Sequence, residues 1–501
     1  MKSLACLLVA LLVCVPRAFA QGQAEPRFGQ VPPAAPAPLQ AAPLPDLGDS
    51  SIADLSPQQE RRLGETVMRD IRRDPAYLDD PEVAEYLNSL GGRLVAASPG
   101  ARQDFEFFAI RDSSINAFAL PGGFVGVHTG LIVSSDTESE IASVLAHEIA
   151  HVTQRHIARQ IGIEKRAQVP MMIAMAAAIL LGRSRPDLAS GAMAAVQGGA
   201  IQSQLAYSRD FEREADRIGF QTLVGSGYDV RAMAEFFEKL QRYTRVMDGG
   251  GVPVYLRSHP VTTERISDAQ ARAHELPFRP HVDALDYHLV RAKLRAEAID
   301  PVDAVKLFTT AVNDRRFANE PGAHYGLAVA YFRAKEYKRA EAEIARLRAD
   351  KAASPMIDLL AARVRMAQDD AAGALALLKA AIERYPHRRS VLYAYLGVLQ
   401  DTGHYDEVLA ALAEPLRLYP REAKLHEIRA KAYAGQGKRL LQHQAQAEVY
   451  QLQGNLQGAI EQLQFAQSAG DGNFYDLSVV DARLKELRAE RAREMADSRK
   501  Q

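Results

Sequence analysis

The chain has almost no cysteine: Cys6 and Cys14 are the only two, and both lie among its first twenty residues. Once that segment is removed no disulfide can form, so stability must come from packed cores and a bound metal even in an oxidising compartment. Charge of one sign is also missing, with 61 Lys and Arg against 62 Asp and Glu. That balance excludes the basic footprint of a nucleic-acid binder and an acidic solvating tail. No apolar run reaches the about 20 residues needed to span a bilayer. A single core is excluded by length, since 501 residues divide into roughly two to four domains.

The first residues carry an address. Lys2 precedes an apolar run from Leu4 to Val15, and Ala18-Phe19-Ala20 is a small-x-small cleavage pattern. Residues 1–20 therefore read as a secretory signal peptide, with a membrane anchor as the alternative, and the mature chain is expected in the periplasm, with peripheral membrane contact open. Val13 stands before Cys14 where a lipobox needs a small residue, which argues against lipidation. Residues 21–50 form a spacer; Val31 to Asp46 holds six prolines and cannot bury a core. The first folded helix should start at Ser56 and Pro57, an N-cap followed by a first-turn proline.

Phe105 to Ile132 is rich in aromatic and branched residues and punctuated by Pro121, Gly122, Gly123 and Gly130, a pattern that predicts a short meander of strands. Ser134 and Ser135 can cap a long helix running to about His156, in which Ile141, Leu145, Ile149 and Val152 form an apolar stripe. The run Pro170 to Leu181 and the small residues near Ala192 to Val196 fit a buried core helix; membrane contact through 170–200, or a substrate-gating hairpin, stays open.

After about Pro280 the sequence acquires a period. Ala328, Ala362, Leu396 and Ala430 recur every 34 residues, as do Ala340, Ala374 and Val408, and Tyr385-Pro386 repeats as Tyr419-Pro420. Paired helices at that spacing resemble tetratricopeptide repeats, placed at 283–470, and the tail from 471 to 501 reads as a helix that is solvated or frayed past Leu484. The fold class is mostly α with a small β-sheet: an α+β domain over 51–278, which the HEIAH motif at His147 to His151 marks as a zincin-type metallopeptidase, then an α-solenoid.

The chemistry rests on His147-Glu148-Ile149-Ala150-His151. On a helix, the i, i+4 spacing brings two imidazoles to one face, matching two tetrahedral zinc positions, and Glu148 sits beside the open one. Zinc lowers the pKa of a bound water from about 15.7 towards 7, and Glu148 would take its proton during attack on a peptide carbonyl. A third ligand is required for one zinc per chain. His156 would fall on the opposite face of a continuous helix, and Gln154 stands where the metzincin turn needs glycine. The helix from Tyr207 to Phe220 supplies Glu212 as third ligand, with Asp216 one turn on to orient a ligand histidine. Arg213, Glu214 and Arg217 on the same helix read as solvated charges.

The ordered motifs NAFALPGG (Asn116 to Gly123), HEIAH, SRDFEREAD (Ser208 to Asp216) and SHP (Ser258 to Pro260) resemble the HtpX/Oma-type zinc metallopeptidases, and the leader and repeats resemble that family's periplasmic members. The resemblance implies Glu212 as a ligand and a proton-donating or orienting role for Asp216. It implies that His259 can occupy the zinc's open position and hold the enzyme latent; a loop histidine with a purely structural role is the alternative. It also implies a substrate-binding strand edge formed by Asn116, Ala117, Phe118, Ala119, Gly122 and Gly123, reading backbone rather than side chains. The expected function is degradation of unfolded or misassembled outer-membrane β-barrel proteins, with the repeats docking the outer-membrane assembly machinery and assisting assembly in a chaperone-like way. A repeat-based chaperone or scaffold with a largely latent metal site is the alternative.

Overall fold

A computed structural model of the chain describes residues 55–163, 209–246 and 254–498. The expected leader (1–20), the proline-rich spacer (21–50) and the 170–200 stretch lie outside the described residues. Among the described residues, no helix is long and apolar enough to cross a membrane.

Helix α1 (Pro57–Arg73) starts at the expected cap: Ser56 Oγ accepts from the Gln59 amide and Gln59 Oε1 accepts from the Ser56 amide, at 3.3 and 2.7 Å. The reciprocal pair satisfies two donors that a helix start leaves orphaned. Asp80 caps α2 (Pro81–Ala97) by accepting from the amides of Glu82 and Val83. The buried stripe of α2, Val83, Leu87, Leu90 and Leu94, repeats at helical spacing and packs against the sheet that follows.

The strands are β1 (Glu106–Ile110), β2 (Ala117–Leu120) and β3 (Phe124–His128), and they do not form the expected meander. Their order is β1-β3-β2, with β3 parallel to β1 and antiparallel to β2. β2 and β3 make a hairpin whose turn uses Gly122 (φ 78°) and Gly123 (φ 93°), a left-handed backbone that side chains resist. All five residues of β3 are buried. β3 takes the centre, between β1 and β2, and β2 lies at an edge among the described residues although it too is buried throughout.

Ile132 and Ser134 lie not in a strand or a cap but in a short helix, α3 (Thr129–Ser134). The long helix α4 (Glu138–Thr153) starts at Thr137, whose hydroxyl accepts from the Glu140 amide at 3.2 Å. Ser135 is unavailable as a cap because its hydroxyl is shared with Ile132 O and the Tyr287 hydroxyl. α4 also stops before His156. Arg155 adopts φ 54°, a left-handed conformation costing a non-glycine residue about 1 kcal/mol, and its guanidinium is held on Glu60 Oε1 at 2.6 and 2.8 Å. Helix α5 (His156–Ile163) therefore leaves in a new direction.

Next come α6 (Arg209–Ser226), α7 (Arg231–Val246), α8 (Val254–Ser258) and α9 (Thr263–His274). The repeat helices begin with α10 (Leu285–Glu297) and α11 (Pro301–Asn313). They continue as pairs: α12 (Glu320–Arg333) with α13 (Tyr337–Ala349), α14 (Pro355–Ala367) with α15 (Ala371–Arg384), α16 (Arg389–Asp401) with α17 (Tyr405–Leu418), and α18 (Ala423–Gly435) with α19 (Arg439–Leu452). The recurring small residues Ala328, Ala362, Ala340 and Ala374 are all buried, letting neighbouring helices approach. α20 (Leu456–Ser468) and α21 (Phe474–Ser498) close the chain, and Leu484 and Leu487 pack into their shared core, so the tail is covered further than expected.

The repeats grip the N-terminal helices through polar contacts. Lys293 of α10 donates to Asp80 and Glu82 at 2.5 and 2.7 Å, and Arg363 of α14 pairs with Glu82. Ser390 of α16 binds Glu85, Lys424 of α18 reaches Asp79, and Arg69 of α1 donates to Gly454 O. One continuous apolar core runs from Leu78 to Val364 across the two halves.

Candidate metal centre

α4 is buried on every side from Glu138 to Val152, so its polar residues face neighbouring elements rather than water. α6 runs close beside it: a Cβ on Gly219 would lie 3.1 Å from the His147 amide nitrogen. That closeness brings Glu212 and Asp216 against the two imidazoles. Ligand atoms of His147, His151, Glu212 and His259 all lie within 4.8 Å of one another, and all four residues are buried. His151 Nε2 is 2.9 Å from His147 Nε2 and 3.3 Å from Glu212 Oε1. His259 enters from the turn after α8, with Nδ1 3.0 Å from Glu212 Oε1 and 3.3 Å from His147 Nε2.

The donor set fits a cation. His147 Nδ1 lies 2.9 Å from Asp216 Oδ1, a neighbour that can only accept, which favours a proton on Nδ1 and leaves Nε2 to face the site. Two imidazole nitrogens, a carboxylate and a third imidazole then converge on one point, and 2.9 Å between the two Nε2 atoms calls for a shared proton or a cation between them. Without a metal, a proton takes that place. Burial alone would lower the His147 pKa, but Glu212 and Asp216 outweigh it and push it up to about 10. Burial and the neighbouring imidazoles hold His151 well below the ordinary histidine range, although Glu212 opposes them. Burial would raise Glu212, and the adjacent His259 and His147 hold it well below the carboxylate range instead.

Glu148 is fully buried and neither carboxylate oxygen makes a well-formed hydrogen bond. Burial raises its pKa against the pull of His259, His147 and the Ala119 backbone. A carboxylate kept dry and unsatisfied beside a cation site is poised to exchange a proton.

Of the candidate strand residues, Ala117, Phe118 and Ala119 lie in edge strand β2, which packs on α4. Asn116, just before it, is buried with its amide nitrogen 3.3 Å from His128 Nε2. Gly122 and Gly123 sit elsewhere, in the β2–β3 turn, where Gly122 O accepts from Arg61 and Gly123 O from the Glu106 amide.

Two residues at the site, Arg265 and Tyr255, escaped the sequence reading, and two others, His156 and Glu214, have a different role from the one expected. Arg265, in the first turn of α9, clamps Asp216 at 2.6 and 2.7 Å, holds Pro260 O at 2.9 Å and forms an ion pair with Glu212, Nη1 to Oε2 at 2.7 Å. One guanidinium thus ties both carboxylates to the turn that presents His259. Tyr255 stacks its ring on His259 at 4.7 Å. His156 touches the outer nitrogen of His151, and Glu214, read as a solvated charge, is its partner. No spacing in the sequence links these residues to the HEIAH helix; the turn at Arg155 and the crossing of α9 bring them in.

A small sheet, a buried HExxH helix, a second helix bearing carboxylates and a run of paired helices define a metallopeptidase with a repeat domain. The comparisons agree. Residues 81–273 match the model of Peptidase family M48 and 295–364 that of the tetratricopeptide repeat. The beta-barrel assembly-enhancing protease of Escherichia coli (strain K12) is 32% identical over 96% of each chain, and that of Yersinia pestis 33% identical over 89% of this chain and 91% of the relative. The mitochondrial metalloendopeptidase OMA1 of Arabidopsis thaliana is 29% identical over 44% of this chain and 42% of its own. The chain belongs to the beta-barrel assembly-enhancing protease family within peptidase family M48, and it is a metalloendopeptidase.

Proposed function

We propose that the protein is a zinc endopeptidase of the periplasm that cleaves misassembled outer-membrane β-barrel proteins, with its repeat helices binding the assembly machinery. The observation that carries the catalytic part is the convergence of His147, His151 and Glu212 on one point beneath an edge strand, with Glu148 unsatisfied beside it. Imidazoles with a single carboxylate suit zinc. When bound, zinc supplies Lewis acidity and makes a water easier to deprotonate.

The chain's own residues do the rest. His147, His151 and Glu212 hold the cation. Asp216, fixed by Arg265, keeps the His147 proton on Nδ1. Glu148 accepts the proton of the attacking water and can return it to the leaving amine. The edge strand β2 pairs with an extended substrate through backbone hydrogen bonds, which favours unfolded chains over any one side-chain sequence. His259 sits among the ligands with Nε2 3.6 Å from Glu148 Oε1, where it competes with water and holds the enzyme latent.

Casein and denatured barrel-protein cleavage by the full chain tests this reading. Glu148→Gln should retain the metal and lose about 100- to 10,000-fold in rate, and His259→Ala should cleave faster than wild type. Cleavage that survives Glu148→Gln refutes the mechanism; an unchanged or lower rate for His259→Ala refutes the latch. A chain that never cleaves yet suppresses barrel-protein aggregation would be a scaffold instead.

A further inference from the structure

The outer side of His151 carries a chain of contacts that ligand chemistry alone does not require. His151 Nδ1 lies 2.8 Å from His156 Nδ1, and His156 Nε2 lies 3.2 Å from Glu214 Oε2, which also receives Arg159 Nη1 at 2.8 Å. The His156 side chain is fully buried and the Glu214 side chain 28% exposed.

Each step of this chain fixes the next. A carboxylate paired with Arg159 accepts and does not donate, so His156 Nε2 carries a proton toward it. A neutral His156 is then an acceptor at Nδ1. The 2.8 Å nitrogen–nitrogen contact holds one proton, which must therefore sit on His151 Nδ1. His151 Nε2 is left as a lone pair, and Nε2 is the atom facing His147 and Glu212.

We infer that His156 and Glu214 are positioning residues that lock His151 in the tautomer and ring orientation a metal ligand needs. This role rests on the metalloendopeptidase reading above. It parallels the role of Asp216 on His147, so each ligand imidazole has its own proton acceptor behind it, a carboxylate in one case and an imidazole backed by a carboxylate in the other. The left-handed Arg155 makes this possible: on a continuing α4, residue 156 would have pointed away from His151.

A packing role is the competing explanation, because His156 also stacks on Phe211 at 4.6 Å and 9°. Two substitutions separate them. His156→Phe keeps the stacked ring and removes both nitrogens; His156→Gln loses the ring but can accept from His151 and donate to Glu214. The experiment measures zinc affinity of the full chain by competition with a chromophoric chelator, together with kcat and KM on casein. His156→Phe should lose about 10- to 100-fold in zinc affinity and lower kcat at nearly unchanged KM, while His156→Gln recovers most of both. Glu214→Leu, a change at a partly exposed position, should weaken zinc binding in the same direction and guards against a His156→Phe chain that does not fold.

Wild-type affinity and kcat in folded His156→Phe, or a His156→Gln chain no better than it, would overturn the inference; if His156→Phe does not fold, wild-type affinity in Glu214→Leu would do so. Wild-type protein that takes up no zinc would overturn the metalloendopeptidase reading itself, a separate outcome from any ranking of the variants.

Discussion

The Lys293 and His147 side chains are equally withdrawn from water, and the clusters around them are built differently. Around Lys293 every charge has an opposite partner: the ammonium serves Asp80 and Glu82, and Arg363 completes Glu82. Around His147 the converging atoms are nearly all acceptors, two imidazole lone pairs and a carboxylate oxygen, with Glu148 unsatisfied next to them. Burying polar groups without partners is expensive, so an arrangement of that kind persists only where something absent from the polypeptide completes it. Satisfied burial joins the repeats to the peptidase half; incomplete burial marks the site.

Three perturbations would sharpen or break this contrast, beginning with the largest. Lys293→Met leaves the buried Glu82 and the half-buried Asp80 without their ammonium, and removing one partner of a buried ion pair costs about 3–5 kcal/mol. Chemical denaturation should show that loss. A change under about 1 kcal/mol would mean the cluster is screened like a surface pair.

The second perturbation is pH. In metal-free protein the folded His147 pKa is raised from 6.5 to about 10. A raised histidine contributes stability that is complete below 6.5 and is lost as pH climbs through about 10. Each pH unit inside that window removes at most about 1.4 kcal/mol. Zinc-loaded protein should lack this slope because the cation replaces the proton. Thermal melts of both forms from pH 6 to 10 make the comparison, and parallel curves would contradict it. The smallest effect belongs to the rim of the ladder. Lys424 and Asp79, 37% and 70% exposed, form a pair worth under about 1 kcal/mol, so Lys424→Ala should scarcely move the denaturation midpoint.

The same contrast explains what could be read from the sequence. Local signals translated directly: the Ser56 cap, the i, i+4 histidines, the Glu212 and Asp216 turn and the 34-residue repeat each depend on neighbours in sequence. Errors arose where a distant element decided. Ser135 fits a cap by sequence, but Tyr287 takes its hydroxyl, and the expected meander gives way to an order with β3 between β1 and β2. His156 lies beyond α4, which ends at Thr153, and nothing local announces the left-handed Arg155 that separates them. Arg265 was one of 61 basic residues until α9 carried it across the site.

Metal content of the full-length protein, purified without added metal or chelator, bears most directly on the centre. One zinc per chain is expected in the wild type and in Glu148→Gln, and little or none in His147→Ala. A wild-type protein that holds no zinc and cannot take it up, or a His147→Ala protein that binds it as tightly, would contradict the convergence of His147, His151 and Glu212 on a single cation.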